Sequence, residues 1–148
     1  MRIELKQVTV DTFQECIGLS VTDEQRDFCA SNLYSIAESK VEPLAIPTCI
    51  FIDNQMVGFI LYGPDNSDDG MYMALDRFMI DKRFQGKGYG KSALVKLIDI
   101  IKNDFPEYKE ITLSFNPENI ASEKLFTGFG FVKTGKFSGD ECIATLTL

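Results

Sequence analysis

The sequence predicts an α/β (α+β) fold, in which a mixed, mostly antiparallel central sheet of about seven strands is flanked by about four helices. Several short segments alternate apolar and polar residues, as half-buried strands do, while others space their apolar residues three and four apart, as amphipathic helices do. The two kinds of segment follow one another without a repeat, a low-complexity run or a linker. A length of 148 residues therefore predicts one domain, residues 1–148.

The first forty residues predict one strand and two helices. Apolar and charged residues alternate over residues 3–8, which predicts a strand, and residues 9–19 predict a short helix. Thr22, with Gln25 three positions later, forms a capping signature that predicts a second helix as far as about Lys40. The buried face of this second helix is predicted to contain Phe28, Leu33, Ile36 and Ala37.

The remaining elements follow from the same patterns. Asp53 and Asn54 separate two apolar runs, at residues 48–52 and 55–62, as in a two-residue β-hairpin. One later helix has an apolar face formed by Ala93, Leu94, Leu97, Ile98 and Ile101. The other predictions are a polar loop at 64–70, a strand at 71–81, a glycine-rich turn at 85–90, a strand at 111–115, a helix at 118–127 and strands at 131–134 and 141–148.

Charge and composition argue against several classes of function. A net charge of −7 disfavours a nucleic-acid binder, which needs a basic surface, and is compatible with a small cationic substrate. No apolar run approaches the ~18 residues of a membrane span, and the first residues lack the apolar core of a signal peptide. We therefore expect a cytoplasmic protein without a membrane partner. Four scattered cysteines and the absence of histidine predict reduced thiols and no metal.

The glycine-rich turn is the most informative segment, because glycines before a helix N-terminus can bring backbone N–H groups close to a phosphate. A P-loop would require glycine where Gln85 stands. A Rossmann turn needs GxGxxG and opens a parallel βαβ unit, whereas Gly86, Gly88 and Gly90 give GxGxG after three antiparallel strand candidates. A third pattern, Gln/Arg-x-x-Gly-x-Gly/Ala, is matched by Gln85, Gly88 and Gly90. A turn without a ligand is disfavoured, because three glycines in five residues are conformationally costly.

This third pattern is that of the GNAT acetyltransferase superfamily, which the sequence resembles. A second segment, residues 119–131 (Asn-Ile-Ala-Ser-Glu-Lys-Leu-Phe-Thr-Gly-Phe-Gly-Phe), is similar to the family's N-x-x-A-x-x-L-Y-x-x-x-G-F segment. The two segments lie about 30 residues apart, as that fold requires, and the order of elements fits essentially the whole chain. Within the superfamily, residues 22–37, residues 77–81 and the turn resemble the bacterial spermine/spermidine (diamine) N-acetyltransferases.

The resemblance implies acetyl-CoA as cosubstrate. The strand at residues 78–80 would pair with the pantetheine arm and the N–H groups of residues 86–91 would hold the pyrophosphate, so the strands at 71–81 and 111–115 would splay apart to admit the arm. The residues implied in acetyl-CoA binding are Phe78, Met79, Ile80, Gln85, Gly86, Lys87, Gly88, Tyr89, Gly90, Lys91, Asn119, Ser122 and Phe126. A homodimer is a further expectation at the level of the family.

Amine acetylation needs a proton acceptor, because an alkylammonium with a pKa near ~10.4 must lose a proton before it attacks the thioester. In a chain without histidine we expect a carboxylate in this role, with Asp76 as the first candidate and Glu141 as the second. Side-chain alternation predicts that Asp76 shares a strand face with Phe78 and Ile80. The alternative is that Asp76 is a strand-end carboxylate paired with a lysine or arginine.

Two further expectations concern the substrate and the leaving thiolate. Glu24, Asp27 and Glu38, with Asp76, are candidates to bind the ammonium groups of a polyamine, although a solvated helix face also explains the first three. The family commonly has tyrosine, the usual proton donor to the thiolate, at the position of Phe126. Coenzyme A thiolate is a fairly good leaving group, so one alternative is that the reaction needs no donor. The other is that Tyr89, Tyr72, Tyr34 or a water molecule replaces this donor.

The sequence therefore predicts acetyl transfer to a primary amine of spermidine, spermine or a related diamine by direct attack in a ternary complex. One alternative is an N-acetyltransferase for an aminoglycoside or a protein N-terminus. The other, favoured by Phe126, is a weakly active or inactive CoA-binding regulatory protein.

Overall fold

A seven-stranded sheet with the strand order β1-β2-β3-β4-β5-β7-β6 forms the centre of the computed structural model, which describes residues 1–67 and 70–148. Every neighbouring pair of strands is antiparallel except β4 and β5. The predicted fold class is confirmed. The elements are β1 (Ile3–Gln7), α1 (Phe13–Gly18), a 3-10 helix (Asp23–Phe28), α2 (Asn32–Val41), β2 (Ile46–Ile52), β3 (Gln55–Asp65), β4 (Tyr72–Ile80), a 3-10 turn (Lys82–Phe84), α3 (Tyr89–Asp104), β5 (Glu110–Phe115), α4 (Ile120–Phe129), β6 (Val132–Ser138) and β7 (Glu141–Thr147).

The predicted hairpin at Asp53 and Asn54 is confirmed. Both residues have positive φ angles, 48° and 68°, which is the conformation that a two-residue turn of type I′ requires. The hairpin joins β2 to β3, and β3 continues through Asp65, so Pro64 belongs to the strand and not to the predicted loop at 64–70. Residues 68 and 69 of that loop lie outside the described residues.

The prediction of one helix from Thr22 to Lys40 is wrong. The 3-10 helix ends at Cys29, whose backbone is extended, and α2 begins after Ser31, whose side chain accepts a hydrogen bond from the Tyr34 N–H. Ser31 thus provides a second N-cap. Because α2 begins as a new helix after Ser31, the residues that it buries differ from those predicted for one continuous helix.

The buried face of α2 consequently differs from the prediction. Leu33 and Ala37 are exposed, whereas Asn32 and Ser35 are buried. The Asn32 amide donates a hydrogen bond of 2.9 Å to the Cys16 carbonyl of α1, which satisfies this polar group in the interior.

The core has two parts, one on each face of the sheet. The larger cluster lies under α3 and α4, and the predicted apolar face of α3 is buried in it, with Ile98 partly buried. The smaller cluster lies under α1 and α2 and includes Cys16, Cys49, Phe59 and Met79. Because β3 lies between the clusters, consecutive residues from Met56 to Gly63 are all buried. No helix in the described part of the chain is long and apolar enough to cross a membrane.

A β-bulge interrupts β4 at Asp76. Leu61 of β3 faces Arg77, whereas the next residue, Tyr62, faces Leu75, so Asp76 is the extra residue on β4. Leu75 and Phe78 therefore both pack in the larger cluster although they are three residues apart. The predicted common face for Asp76, Phe78 and Ile80 is wrong, because the bulge reverses the alternation between Leu75 and Phe78.

The parallel strands β4 and β5 separate after a short contact. Their register contains only three pairs in the described chain, Met73 with Ile111, Ala74 with Thr112 and Leu75 with Leu113. The predicted splay of the sheet is confirmed at this point. Strand β4, helix α3 and strand β5 also form a parallel βαβ unit, so the spacing of the glycines, and not the topology, distinguishes the turn from a Rossmann turn.

Two glycines give a matched test of this packing. A Cβ atom at residue 58 would clash with the Met79 carbonyl oxygen, because β3 and β4 approach closely there. We expect Gly58→Ala to lower the free energy of unfolding by about 1–3 kcal/mol in urea denaturation. Gly128→Ala in α4 meets no atom within 4 Å and should instead raise stability by roughly 0.5–1 kcal/mol. Equal stability of Gly58→Ala and the native chain would contradict this description of the β3–β4 contact.

Candidate functional site

The glycine turn is held at its start by the buried carboxylate of Asp81, which is 2% exposed. Its oxygens accept hydrogen bonds from the backbone N–H and Nε of Arg83, at 2.9 and 2.8 Å, and from the Ser20 N–H at 2.9 Å. Burial opposes ionisation, but these hydrogen bonds hold the pKa of the Asp81 carboxyl below its ordinary value. The sequence analysis includes Asp81 only at the end of the predicted strand at 71–81 and of the segment 77–81, and gives it no role in the site. The signal that could have indicated this role is an aspartate at a strand end, directly before a turn.

Gln85 braces the turn through its side chain. Its amide nitrogen donates to the Ile80 carbonyl at 2.9 Å and to the Gln25 side-chain oxygen at 2.8 Å. The turn is thereby tied both to the end of β4 and to the 3-10 helix (Asp23–Phe28). The Gln85 side chain thus has a positioning role, which the sequence pattern alone does not distinguish from ligand contact.

The three glycines of the turn meet two different requirements. Gly86 and Gly88 have φ angles of 77° and 81°, and a Cβ atom at either position would point into open space. Gly88 is the N-cap of α3 and offers no side-chain cap, so the first N–H groups of the helix remain available to a ligand. Gly90, by contrast, packs against α4, with Leu125 only 3.3 Å from the position of a Cβ atom.

A cleft of about 290 Å³, which we call the turn cleft, extends from these glycines to the N-terminus of α4. It receives most of the residues that the family resemblance implies for the cofactor. Lys87 and Tyr89 do not line it: Lys87 is exposed, and Tyr89 packs partly buried against the larger core cluster. The lining residues are Val21, Gln25, Cys29, Phe78, Met79, Ile80, Phe84, Gln85, Gly86, Gly88, Gly90, Lys91, Asn119, Ala121, Ser122, Leu125 and Phe126.

A second cleft, of about 480 Å³, occupies the space between the separated strands and is called the gap cleft. Among its described lining residues the only lysine or arginine is Arg77, and the carboxylates are Asp27, Asp65, Asp76 and Glu141. The structure therefore brings Asp76 and Glu141, which are 65 residues apart in sequence (141 − 76), to one cleft. Such a concentration of carboxylates suits a cationic ligand.

Asp76 lies at the edge of the gap cleft and has a perturbed carboxyl group. The residue is exposed by surface area, but the packed walls around its carboxyl partly desolvate it, which raises its pKa above the ordinary value, and the nearby Arg77 guanidinium opposes the rise. The carboxylate forms no ion pair with a described lysine or arginine, because Arg77 directs Nη2 to Glu38 at 3.4 Å and Nη1 to the Asp76 backbone carbonyl at 2.9 Å. The predicted alternative, a strand-end carboxylate in an ion pair, is not the arrangement in this structure.

Glu141 lies on another wall of the gap cleft, at the start of β7. Its Oε1 accepts a hydrogen bond of 3.0 Å from the Ser114 hydroxyl of β5, which fixes the carboxylate on the side of the gap away from β4. Asp27, on the 3-10 helix (Asp23–Phe28), is exposed and lines the same cleft.

A third cleft, of about 550 Å³, adjoins the gap cleft at Asp65, Asp76 and Arg77 and is called the side cleft. It is lined in addition by Glu38 and Glu42 of the α2 region. The sequence analysis misses Asp65 and Glu42; for Asp65 the missed signal is that β3 extends beyond residue 62. Asp65 then faces Tyr72, whose hydroxyl donates to it at 3.1 Å.

The other predicted site residues lie elsewhere. Glu24 is exposed and lines none of the three clefts. Tyr34 is 59% exposed and likewise outside them, whereas Tyr72 lines the gap cleft beside Asp65. Within the described residues no group of three or more cysteine, aspartate and glutamate side chains is arranged to hold a metal ion.

The turn cleft and the gap cleft meet at a junction of five residues that line both: Cys29, Phe78, Asn119, Ser122 and Phe126. Phe126 is 6% exposed, and its ring packs edge-to-face against that of Phe78 of β4, with the ring centroids 5.9 Å apart. The Asn119 side chain caps α4 by accepting a hydrogen bond of 3.3 Å from the Ser122 N–H. Burial raises the pKa of the Cys29 thiol, which donates a hydrogen bond to the Ala30 carbonyl.

Proteins of known structure share this architecture. The chain superposes on the aminoglycoside acetyltransferase AAC(6')-Ib in complex with coenzyme A with a TM-score of 0.79, at 15% identity, covering 99% of this chain and 95% of that one. It superposes on the PaiA N-acetyltransferase of Thermoplasma acidophilum, also in complex with coenzyme A, with a TM-score of 0.72, at 16% identity and full coverage of both chains.

Sequence comparisons extend the likeness beyond the fold. The chain is 33% identical over 147 residues to the spermine/spermidine N(1)-acetyltransferase of Bacillus subtilis (strain 168), covering 95% of this chain and 96% of that protein. Residues 7–131 match the profile of the acetyltransferase (GNAT) family. With both sequence segments, the splayed sheet and the glycine turn in place, the chain belongs to the GNAT acetyltransferase family.

Proposed function

We propose that this protein transfers the acetyl group of acetyl-CoA to a primary amine of a polyamine, such as spermidine, spermine or a related diamine, in a ternary complex. The observation that carries the proposal is the junction of two clefts of opposite character. The turn cleft offers the free N–H groups of a helix N-terminus, which suit phosphate, and the gap cleft offers four carboxylates, which suit ammonium groups. The 33% identity to a spermine/spermidine acetyltransferase supports the same choice of substrate.

The turn cleft fits coenzyme A on its own features. The open space beside Gly86 and Gly88, which any side chain would fill, lets the backbone approach a pyrophosphate. Beyond Leu75, β4 has no strand partner on the β5 side in the described chain, so this edge is available to the amides of a pantetheine arm, except at the Ile80 carbonyl, which accepts a hydrogen bond from Gln85. Acetyl-CoA would supply an activated acetyl group on a thioester, whose thiol is a fairly good leaving group.

The carboxylates of the gap cleft would prepare the amine. A protonated alkylamine is unreactive, and at pH 7 its deprotonation costs roughly 4.6 kcal/mol, from about 3.4 pKa units at 1.36 kcal/mol each. Asp76 would accept this proton directly or through a water molecule, and the raised pKa of Asp76 brings it nearer to the pKa of the amine. Glu141, held by Ser114, is the second candidate for this role.

The remaining charges of a polyamine would occupy the other carboxylates. Asp65 lies where the gap cleft and the side cleft meet, and Glu42 continues the acidic surface along the side cleft. Glu38 is already paired with Arg77, which reduces the charge it offers to a substrate. Asp27 is exposed at the opening, and an exposed pair contributes only ~0–1 kcal/mol. The cytoplasmic location and the homodimer stay predictions.

A panel of amines tests the proposed reaction. Purified protein with acetyl-CoA should release free thiol with spermidine and spermine at least tenfold faster, in kcat/KM, than with an aminoglycoside or a peptide with a free N-terminus. Higher kcat/KM for the aminoglycoside or the peptide would select that alternative. Binding of acetyl-CoA without thiol release in the presence of any amine would select the regulatory alternative.

Gly88→Val tests the phosphate site. A branched side chain at residue 88 would fill the space that backbone and pyrophosphate must share, so acetyl-CoA affinity should fall at least tenfold by calorimetry. The matched control is Gly135→Val in β6, because Gly135 has a φ angle of 85°, close to the 81° of Gly88, and also faces open space. Both variants place a branched side chain at a positive φ angle, but only the first should lose affinity. Unchanged acetyl-CoA affinity in Gly88→Val would remove the turn from the binding site.

Asp76→Asn tests the proton acceptor. We expect kcat/KM for spermidine to fall at least tenfold, while acetyl-CoA affinity hardly changes. Because the pKa of Asp76 is raised in the folded protein, the native rate should fall as the pH drops through that raised pKa, and this low-pH limb should vanish in the variant. A limb that remains while KM rises would mean that Asp76 binds charge only.

A measurement of stability distinguishes a loss of catalysis in Asp76→Asn from a loss of folded protein. An aspartate whose pKa is raised by folding opposes folding above its unfolded-state pKa, so Asp76→Asn should be at least as stable as the native chain at pH 7. Asp99→Asn, on the exposed side of α3, is the matched control and should leave the kinetics unchanged. Native kinetics in Asp76→Asn at every pH would exclude both roles for Asp76.

A further inference from the structure

We propose that the Ser122 hydroxyl donates a hydrogen bond to the sulfur of coenzyme A as the thioester bond breaks. This inference rests on the proposed function and assigns to Ser122 the stabilisation of the leaving group, which Phe126 has no hydroxyl to provide. Ser122 lies at the junction, where both the turn cleft and the gap cleft reach it.

The first observation is a paired departure from the family pattern. In N-x-x-A-x-x-L-Y, Ser122 stands at the alanine and Phe126 at the tyrosine, so one hydroxyl is gained and one is lost. The two residues are four apart on α4 and therefore lie on one helix face, with Cβ atoms about 5–6 Å apart. Side chains on a helix lean toward its N-terminus, so the ring at residue 126 lies over the turn that carries residue 122.

The second observation is that the Ser122 hydroxyl is available. Its backbone N–H is used by the Asn119 cap, but the hydroxyl makes no hydrogen bond to any residue that the structure describes. The competing donors are worse placed. The Cys29 thiol donates to the Ala30 carbonyl, Tyr72 lies beside Asp65 and away from the junction, and Tyr34 and Tyr89 line neither cleft.

The position of Ser122 at the N-terminal end of α4 gives an electrostatic reason for the proposed role. Ser122 is the third residue of α4, inside the first turn, where the unpaired N–H groups carry a partial positive charge. A negative charge that develops on a sulfur at this place is stabilised by the helix end and by the hydroxyl together. A residue later on α4 would offer the hydroxyl without the helix end.

The chemistry balances without a proton from Ser122. The amine nitrogen forms a bond to the acetyl carbon, the carbon–sulfur bond breaks, and its electron pair stays on sulfur. The nitrogen loses two protons in all: the ammonium proton leaves through Asp76 or its water molecule to solvent before the attack, and the second leaves by the same route as the amide forms. Because an aliphatic hydroxyl is a much weaker acid than a thiol, Ser122 keeps its proton and stabilises the thiolate by a charge-assisted hydrogen bond.

Kinetics provide the first test. Ser122→Ala should lower kcat with spermidine roughly tenfold and leave KM for acetyl-CoA within about twofold, because the hydrogen bond strengthens only as the sulfur becomes charged. Alanine is the family's residue at this position and a good helix former, so α4 should be preserved. Adding Phe126→Tyr to Ser122→Ala should restore most of the lost kcat. Thr127→Val is the control, because Thr127 is an exposed hydroxyl on the same helix that lines no cleft.

Coenzyme A alone provides a test that does not depend on turnover. The thiol of bound coenzyme A, titrated by its ultraviolet thiolate absorbance, should ionise at a pH lower by roughly half a unit or more in the native protein than in Ser122→Ala. Equal titration curves together with native kcat in Ser122→Ala would overturn the inference. So would a rise in KM with unchanged kcat, because Ser122 would then bind the ground state only. A native protein inactive with every amine would refute the proposed function, and the titration would still decide the hydrogen bond of Ser122.

Discussion

The separation of β4 from β5 is the constraint on which the site depends. After Leu75 and Leu113 the two strands no longer pair, and the unpaired backbone edge of β4 must find another partner, either water or a ligand. The α3 helix begins beside this edge and α4 lies across it, so a helix N-terminus, an open strand edge and a capped helix face the same opening. A sheet that stayed paired here would contain the same residues and would have neither the turn cleft nor the gap cleft.

The bulge at Asp76 determines which side chains of β4 face the opening between the strands. It returns Phe78 to the face of the larger core cluster, where its ring meets Phe126, and it leaves Asp76 and Arg77 toward the α2 side. One extra residue in β4 thus places the carboxylate of Asp76 at the edge of the gap cleft and the ring of Phe78 against Phe126. Arg77 is held by Glu38, so the carboxylate of Asp76 is left without an ion-pair partner among the described residues. Desolvation of this exposed carboxylate raises its pKa, which opposes folding above its unfolded-state pKa.

Most of the architecture could be predicted from the sequence, because strand alternation, the Asp53-Asn54 turn and the spacing of glycines are local patterns. The errors arise where tertiary contacts override local ones. Ser31 restarts α2 because its hydroxyl offers a better cap than a continuous helix does, and no periodicity reveals that the buried face would be Asn32 and Ser35. Asp76 faces the opposite side of the sheet from the one predicted because β4 has a bulge in its pairing with β3. The sequence of β4 alone does not reveal this pairing. Asp65 enters the site only because β3 is longer than its apolar run.

The aromatic pair at the junction lies between the two regions in which the proposed ligands, of opposite charge, would bind. Phosphates favour the helix end at Gly88, and ammonium groups favour the carboxylates of the gap cleft, so the two kinds of charge would bind at separate places. Phe78 and Phe126 form an apolar wall between the two charged regions, with ring centroids 5.9 Å apart. An uncharged group such as a thioester can lie at this wall without a desolvation penalty, and a charge that develops there needs a hydrogen-bond donor. A phenylalanine at 126 keeps this wall apolar and provides no hydrogen-bond donor, and in the proposed mechanism the hydroxyl of Ser122, one turn earlier on α4, provides a donor where the charge develops.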